Sequence, residues 1–537
     1  MTDIEIPFPK DRHFRYRFFE VLPGALSWLV LCLPFILSLI DVDAAVFFII
    51  GYLLLWFIRA IGIDIRAIQG YRTMRMHQKL DWGKMLSELE TGEADDDDIK
   101  RPSWHATNIS RVSSASDAIM PSQLMHVAMV AVYKESREIV EPSIKAIIDS
   151  HYDIKKIILV IAYEERGGKS TQELSESLIK EYGHNFYGAF AVKHPKDMPD
   201  EIIGKGGNIT FAGYRLKKYL DDRNIEPIRV VVTTLDADNR PDKKYFAALS
   251  YTYISSLDPV HISFQPIPMY TNNIWDAPAP MRVVATGNSF WNVVLSLRPH
   301  MLRNFSSHAQ SMQTLIDTNF WSVRTVVEDG HQFWRTYFRY DGNHRVYPVY
   351  TPIYQDAVLS GTYIKTLKAQ FIQLRRWTYG ASDVAYVADK GFFTKSKTSK
   401  TDVTFKFLRL LEGHVTWAVA PVLLVSAAFI PALFNPNSYA ANELPLLVSR
   451  IQTIALLGVA GTLFLSIKAL PPKPARYKAH RTVFMVLQWV YLPVTTILYN
   501  SMSAFYSQTR LMFGLYYDKF DFTEKGVVKD TPQEKPA

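Results

Sequence analysis

At 537 residues the chain is too long for one ordinary soluble domain. Its 60 basic and 52 acidic side chains leave a net charge of +8, and 48% of its residues are hydrophobic. A lone cysteine, Cys32, excludes an intrachain disulfide and a cysteine metal cluster. The basic residues gather beside apolar runs, which favours membrane lipids over nucleic acid as partners.

In chain order, the first features are two apolar runs, 22–40 and 44–61. Each has the length that a bilayer core of about 30 Å demands of a helix. Only Asp41, Val42 and Asp43 separate them, so residues 1–63 read as a transmembrane hairpin, not a cleaved signal peptide. Lys10, Arg12, Arg15 and Arg17 precede the first run, and the turn after it is acidic. That asymmetry predicts a multi-pass protein of the cell membrane with its N-terminus and large middle region in the cytoplasm. Residues 64–123 read as a polar connector; its four consecutive aspartates at 95–98 repel one another and predict a solvated loop, not a cation site.

Residues 124–360 alternate two periodicities. "MHVAMVAVY", "KIILVIAYE", "GAFAVKH" and "IRVVVTTLDAD" read as strands. "REIVEPSIKAIIDS", "STQELSESLIKEYG" and "NITFAGYRLKKYLDD" between them read as helices. Such alternation predicts an α/β domain, a mostly parallel sheet with helices on both faces and its ligand site beyond the carboxyl ends of the strands. Residues 361–414 read as amphipathic interfacial helices. Residues 415–537 hold further apolar runs, 415–434, 451–467 and 482–499, and a tail. The last run contains Pro493 and continues into "MSAFYSQTRLMFG", which reads as an interfacial or re-entrant helix. A tail with Lys519, Lys525 and Lys529 would then return to the cytoplasm.

Chemistry-bearing residues stand where that architecture puts a ligand. Asp236 and Asp238 end a strand, two residues apart, where both can reach one hard cation such as Mg²⁺ or Mn²⁺. Lys205 opens a helix within "GKGGN", whose glycines allow a phosphate to approach the helix N-terminus. Glu328 and Asp329 are adjacent, so each raises the other's pKa, which suits a general base. His331 reads as a structural histidine. Gln373, Arg376 and Trp377 share one helix face in "QLRRW", offering an amide, a guanidinium and an aromatic plane.

In this order, between membrane segments, these motifs resemble those of membrane-embedded family 2 glycosyltransferases, such as cellulose synthase, hyaluronan synthase and ceramide glucosyltransferase. "KGGN" resembles the family's K-A-G-N box, "DAD" its D-x-D, "ED" its T-E-D and "QLRRW" its Q-x-x-R-W. "VAVYKES", with Tyr133 and Glu135, resembles its opening nucleotide-binding segment, and "SQTRLMFG…DFTEK" its terminal membrane segment. The resemblance implies a GT-A-type fold, a nucleotide-sugar donor carrying uracil, and a divalent cation on Asp236 and Asp238. It implies Asp329 as general base beside Glu328, and Lys205, Asp236, Gln373, Arg376, Trp377, Tyr133 and Glu135 as substrate contacts. A growing polysaccharide is the acceptor it favours; the alternatives are transfer of a single sugar to a lipid, and a catalytically silent membrane scaffold of the same fold. Two departures stand out: "VIAYEERGG" offers only Glu164 or Glu165 where the family has an Asp pair that helps read the base, and Val327 replaces the T-E-D threonine.

Overall fold

The computed structural model describes residues 4–95, 101–523 and 525–526. Strands β1 (Met125–Val132), β2 (Ile157–Glu164), β3 (Gly188–His194) and β4 (Val230–Asp236) pair in parallel. With β5 (Arg240–Pro241), β6 (Ile262–Met269), β7 (His308–Ser311) and β8 (Arg345–Tyr354) they complete an 8-stranded sheet of order β3-β2-β1-β4-β7-β6-β8-β5. The short β7 runs antiparallel to β4 and β6, so the sheet is mixed past β4. This is the expected α/β domain, its sheet parallel in the first half, set between N-terminal and C-terminal apolar helices.

Strand alternation builds the two faces. Ala128, Val130 and Val132 of β1, with Leu159 and Ile161 of β2, enter one core beside Ile139 and Ile144 of the helix Arg137–Ile148. Val127, Met129, Ile158 and Val160 enter the other, against Ile209, Leu216 and Leu220 of the helix Lys205–Asp221. Each such side chain contributes about 1.5–3 kcal/mol on burial, which fixes the register that places the strand ends.

The stretch read as a polar connector also contributes to the core. The helices Trp82–Thr91 and Trp104–Ser113 bury Trp82, Met85, Leu89, Ile109 and Val112 against the sheet domain. Their charged residues are satisfied locally: Glu88 accepts from Arg101 Nε at 2.8 Å and lies 2.7 Å from His105 Nε2. Of the acidic run, Asp95 pairs with Lys84, and residues 96–98 lie outside the described residues.

Among the described residues, five helices are long and apolar enough to cross a membrane: Phe14–Ile40, Val42–His77, Lys400–Phe434, Tyr439–Ala469 and His480–Met512. In the hairpin turn, Asp41 Oδ1 accepts from Asp43 N at 2.9 Å and Ala44 N at 3.3 Å, capping the second helix. The last apolar run continues into the segment after it, as its sequence suggests. It continues from His480 to Met512, interrupted by tighter and wider turns around Pro493 and at Thr496–Ser501. Its two ends are tied to other parts of the chain: Arg481 donates to Trp275 O of the sheet domain at 2.7 Å, and Arg17, before the first apolar run, donates to Met512 O at 3.2 Å.

Candidate active site

The register of the parallel strands decides where the site forms. Ala131 lies opposite Asp236 and Val132 opposite Tyr163, so β1, β2 and β4 end on one rim. A cavity of about 190 Å³ opens there. Every site residue expected from the sequence lines it: Tyr133 and Glu135 after β1, Lys205 at its helix start, Asp236 and Asp238 after β4, Glu328 and Asp329, and Gln373, Arg376 and Trp377. Of the two glutamates ending β2, Glu164 lines the cavity; Glu165 turns away and accepts from Lys196 N at 2.9 Å. His331 is buried off the cavity with Nδ1 2.7 Å from Asp383 Oδ1, a structural contact.

Lys205 Nζ donates to Asp236 Oδ1 at 2.6 Å and to Ser306 O at 3.1 Å. Burial pulls the ammonium pKa down, but Asp236 and Glu328 outweigh it and leave it raised. Burial acts on Asp236 in the opposite sense, yet Lys205 and Lys525 hold its carboxyl down at about 2. Glu328 has the reverse balance: burial, then Asp329, pushes it up to about 7. Burial also raises Asp329, against the pull of Lys205. The cavity therefore holds a firmly ionised acid on β4 and a proton-retaining acid pair on the facing helix Glu328–Arg339.

Gly206 lets the Lys205 helix approach the acid pair closely. A Cβ there would lie 2.3 Å from Ser322 O and 3.3 Å from Glu328 Cβ. Gly206→Ala is expected to cost about 1–3 kcal/mol by overpacking and to displace the acid pair. Thermal unfolding and turnover of the variant, both reduced, check this.

Gln373, Arg376 and Trp377 present one face of the helix Tyr363–Thr378 to the cavity. Arg375 points elsewhere and pairs with Asp521. Arg376 lies 3.6 Å from the centre of the Phe520 ring, and its Nε is buried without a partner. Burial lowers its pKa, while Glu328 and Asp236 oppose the shift. Trp377 lies beside Tyr270, ring centres 6.1 Å apart, so two aromatic planes flank the same opening.

Sequence reasoning missed two contributors. Asp356, just past β8, donates its N–H to Asp238 Oδ2 at 2.9 Å. Burial, then Asp238, pushes its carboxyl up to about 6, and its Oδ1 is buried without a partner. Lys525 donates to Asp238 Oδ1 at 2.5 Å, while Phe520, Phe522 and Thr523 of the same segment line the cavity. The "DFTEK" string was the available signal for Lys525; nothing local marks Asp356.

Asp236, Asp238 and Asp356 line the cavity as hard oxygen donors, with Lys205 and Lys525 paired to the first two and Asp356 Oδ1 buried without a partner. Among the described residues, no group of three acidic, histidine or cysteine side chains is arranged to hold a metal ion. The donor set fits a cation that takes few protein oxygens and completes its shell with phosphate oxygens and water, as Mg²⁺ does.

No protein-family model matches the sequence, and no curated protein matches it. Among solved structures, the chain is similar to a mannosyltransferase, PcManGT, of Pyrobaculum calidifontis in complex with GDP-Man and Mn²⁺, at 14% identity and a TM-score of 0.37 over 80% of this chain and 98% of that one. It is also similar to S. aureus TarS 1-349 in complex with UDP-GlcNAc, at 11% identity and a TM-score of 0.37 over 77% and 98%. A third is GalNAc-T7 with UDP, GalNAc and Mn²⁺, at 11% identity and a TM-score of 0.30 over 57% and 58%.

Proposed function

We propose that the chain is a membrane-embedded, inverting glycosyltransferase of the family 2 type that transfers a sugar from a nucleotide-sugar donor to a growing polysaccharide. One observation carries the reading: acids, cations and a tryptophan from distant parts of the sequence line a single cavity at the carboxyl rim of the parallel strands. The basic residues before the first apolar run favour a cytoplasmic catalytic domain. In this reading the last helix, tied near its start to Trp275 O and at its end to Arg17, lies along the bilayer rim, and the other candidate spans cross.

In this reading the donor diphosphate lies between Lys205 and Arg376, with the sugar toward Trp377. A divalent cation on Asp236 and Asp238, when bound, neutralises the diphosphate. Asp329 takes the proton from the acceptor hydroxyl. That oxygen bonds to the anomeric carbon from the face opposite the departing group. The bond from the anomeric carbon to the phosphate oxygen breaks, and its electron pair leaves with the diphosphate, whose growing charge Arg376 and Lys205 stabilise.

Calorimetry on the purified chain tests donor recognition. A nucleoside diphosphate is expected to bind with Mg²⁺ or Mn²⁺, and to lose that metal-dependent affinity in Asp238→Asn. Equal binding by wild type and variant would contradict the assignment of Asp238. Product size separates the acceptors: a ladder of long chains supports polysaccharide, and a single glycosylated lipid replaces it.

A further inference from the structure

A second charged cluster lies outside the catalytic cavity, where the helices Val42–His77 and Lys400–Ser426 leave their apolar stretches. Arg59 and Arg66 come from the first helix and Arg409 from the second. Arg298, His300 and Arg303 come from the segment after the helix Ala279–Ser296. Their mutual influence shows in their protonation. Burial, then Arg66 and Arg59, holds the Arg298 guanidinium below its usual pKa. Burial and then Arg409 lower Arg303 to about 10. Burial, then Arg409 and Arg298, lower His300.

Few carboxylates answer this charge. Glu412 accepts from Arg59 at 2.7 Å. Asp402 accepts from Lys406 Nζ at 2.6 Å and from Tyr337 OH at 2.5 Å. Arg66 donates to Gly62 O at 2.9 Å and Arg409 to His300 O at 3.3 Å; Arg298 reaches Met301 Sδ at 3.9 Å. These are neutral acceptors, so the cluster keeps most of its positive charge. Large apolar side chains stand exposed next to it: Ile58 at 67%, Ile65 at 50%, Phe405 at 66% and Leu408 at 53%. Guanidinium groups level with the end of the apolar zone, bordered by exposed aliphatic and aromatic surface, match an amphiphile with an anionic head.

We propose that this patch is a binding site for an anionic phospholipid of the leaflet on the catalytic side. Its phosphate sits among Arg298, Arg409 and Arg66, and its acyl chains lie along Ile58, Phe405 and Leu408. The site is independent of the transferase chemistry, because none of these residues lines the catalytic cavity.

Native mass spectrometry of the detergent-purified full chain, with added phosphatidylglycerol or phosphatidylcholine, tests it. Wild type is expected to retain phosphatidylglycerol in preference to phosphatidylcholine. Arg409→Gln, at an exposed position, is expected to weaken that retention about five-fold, and adding Arg298→Gln a further five-fold or so. Arg298→Lys keeps the charge and should keep the lipid, which separates lost charge from lost folding. Lys473→Gln with Lys478→Gln, exposed charges elsewhere on the rim, should change nothing. Equal retention of the two lipids, undiminished phosphatidylglycerol in the Arg409→Gln variant, or its displacement by soluble glycerol phosphate would each overturn the proposal.

Discussion

Asp329→Asn is expected to lower turnover by about a hundred- to ten-thousand-fold while leaving nucleotide binding close to that of the wild type. The expectation follows from its position. Asp329 lines the cavity, and its Oδ1 accepts from Gly330 N at 2.7 Å. Asparagine is nearly isosteric, so the cavity should survive while its proton acceptor is lost. The pH profile gives a second readout. Burial raises both members of the acid pair, with Glu328 at about 7, so they hold protons above the usual carboxylate range. Activity should therefore climb with pH through neutrality as the pair becomes fully ionised, and Asp329→Asn should abolish that limb. If Glu328→Gln abolished the limb and Asp329→Asn kept it, the base would be Glu328.

Arg376→Ala is expected to reduce turnover about a hundred- to a thousand-fold, the usual effect of deleting a buried donor aimed at developing charge. Its neighbour supplies the comparison. Arg376 faces the cavity, stacked on Phe520, whereas Arg375 is bound to Asp521 and stays off the cavity lining. Arg375→Ala should thus cost far less, acting only through the position of the terminal segment. Arg376→Lys should recover only part of the loss, because an ammonium cannot reproduce the planar, two-pronged grip of a guanidinium on phosphate. Equal losses in Arg375→Ala and Arg376→Ala would mean that anchoring of the tail, not charge stabilisation, is what both residues supply.

The first half of the sheet was plain in the sequence, because β1, β2 and β4 are short, mostly apolar runs rich in β-branched residues, of the kind buried on both faces. Its second half was not. β6 contains Pro266 and Pro268, and β8 contains Pro348 and Pro352, residues that argue against a strand inside a sheet. They are tolerated here in a parallel pair whose register slips between Pro266 and Ile267. The helices at Trp82 and Trp104 were hidden by acidic surroundings, although their apolar residues recur at helical spacing. In the site, Asp236 and Asp238 were legible from one strand end, and Gln373, Arg376 and Trp377 from one helix turn. Asp356 and Lys525 reach Asp238 from 118 and 287 residues away, a proximity that no local spacing encodes.

The central claim meets its most direct test in nucleotide release. The purified chain would be given a panel of UDP- and GDP-sugars with Mg²⁺ or Mn²⁺, and free nucleoside diphosphate measured against Asp329→Asn. At least one donor should be consumed by the wild type, with release falling to background in the variant and on chelation. A folded wild-type protein that neither binds nor consumes any donor, or a variant that releases diphosphate as fast, would contradict it.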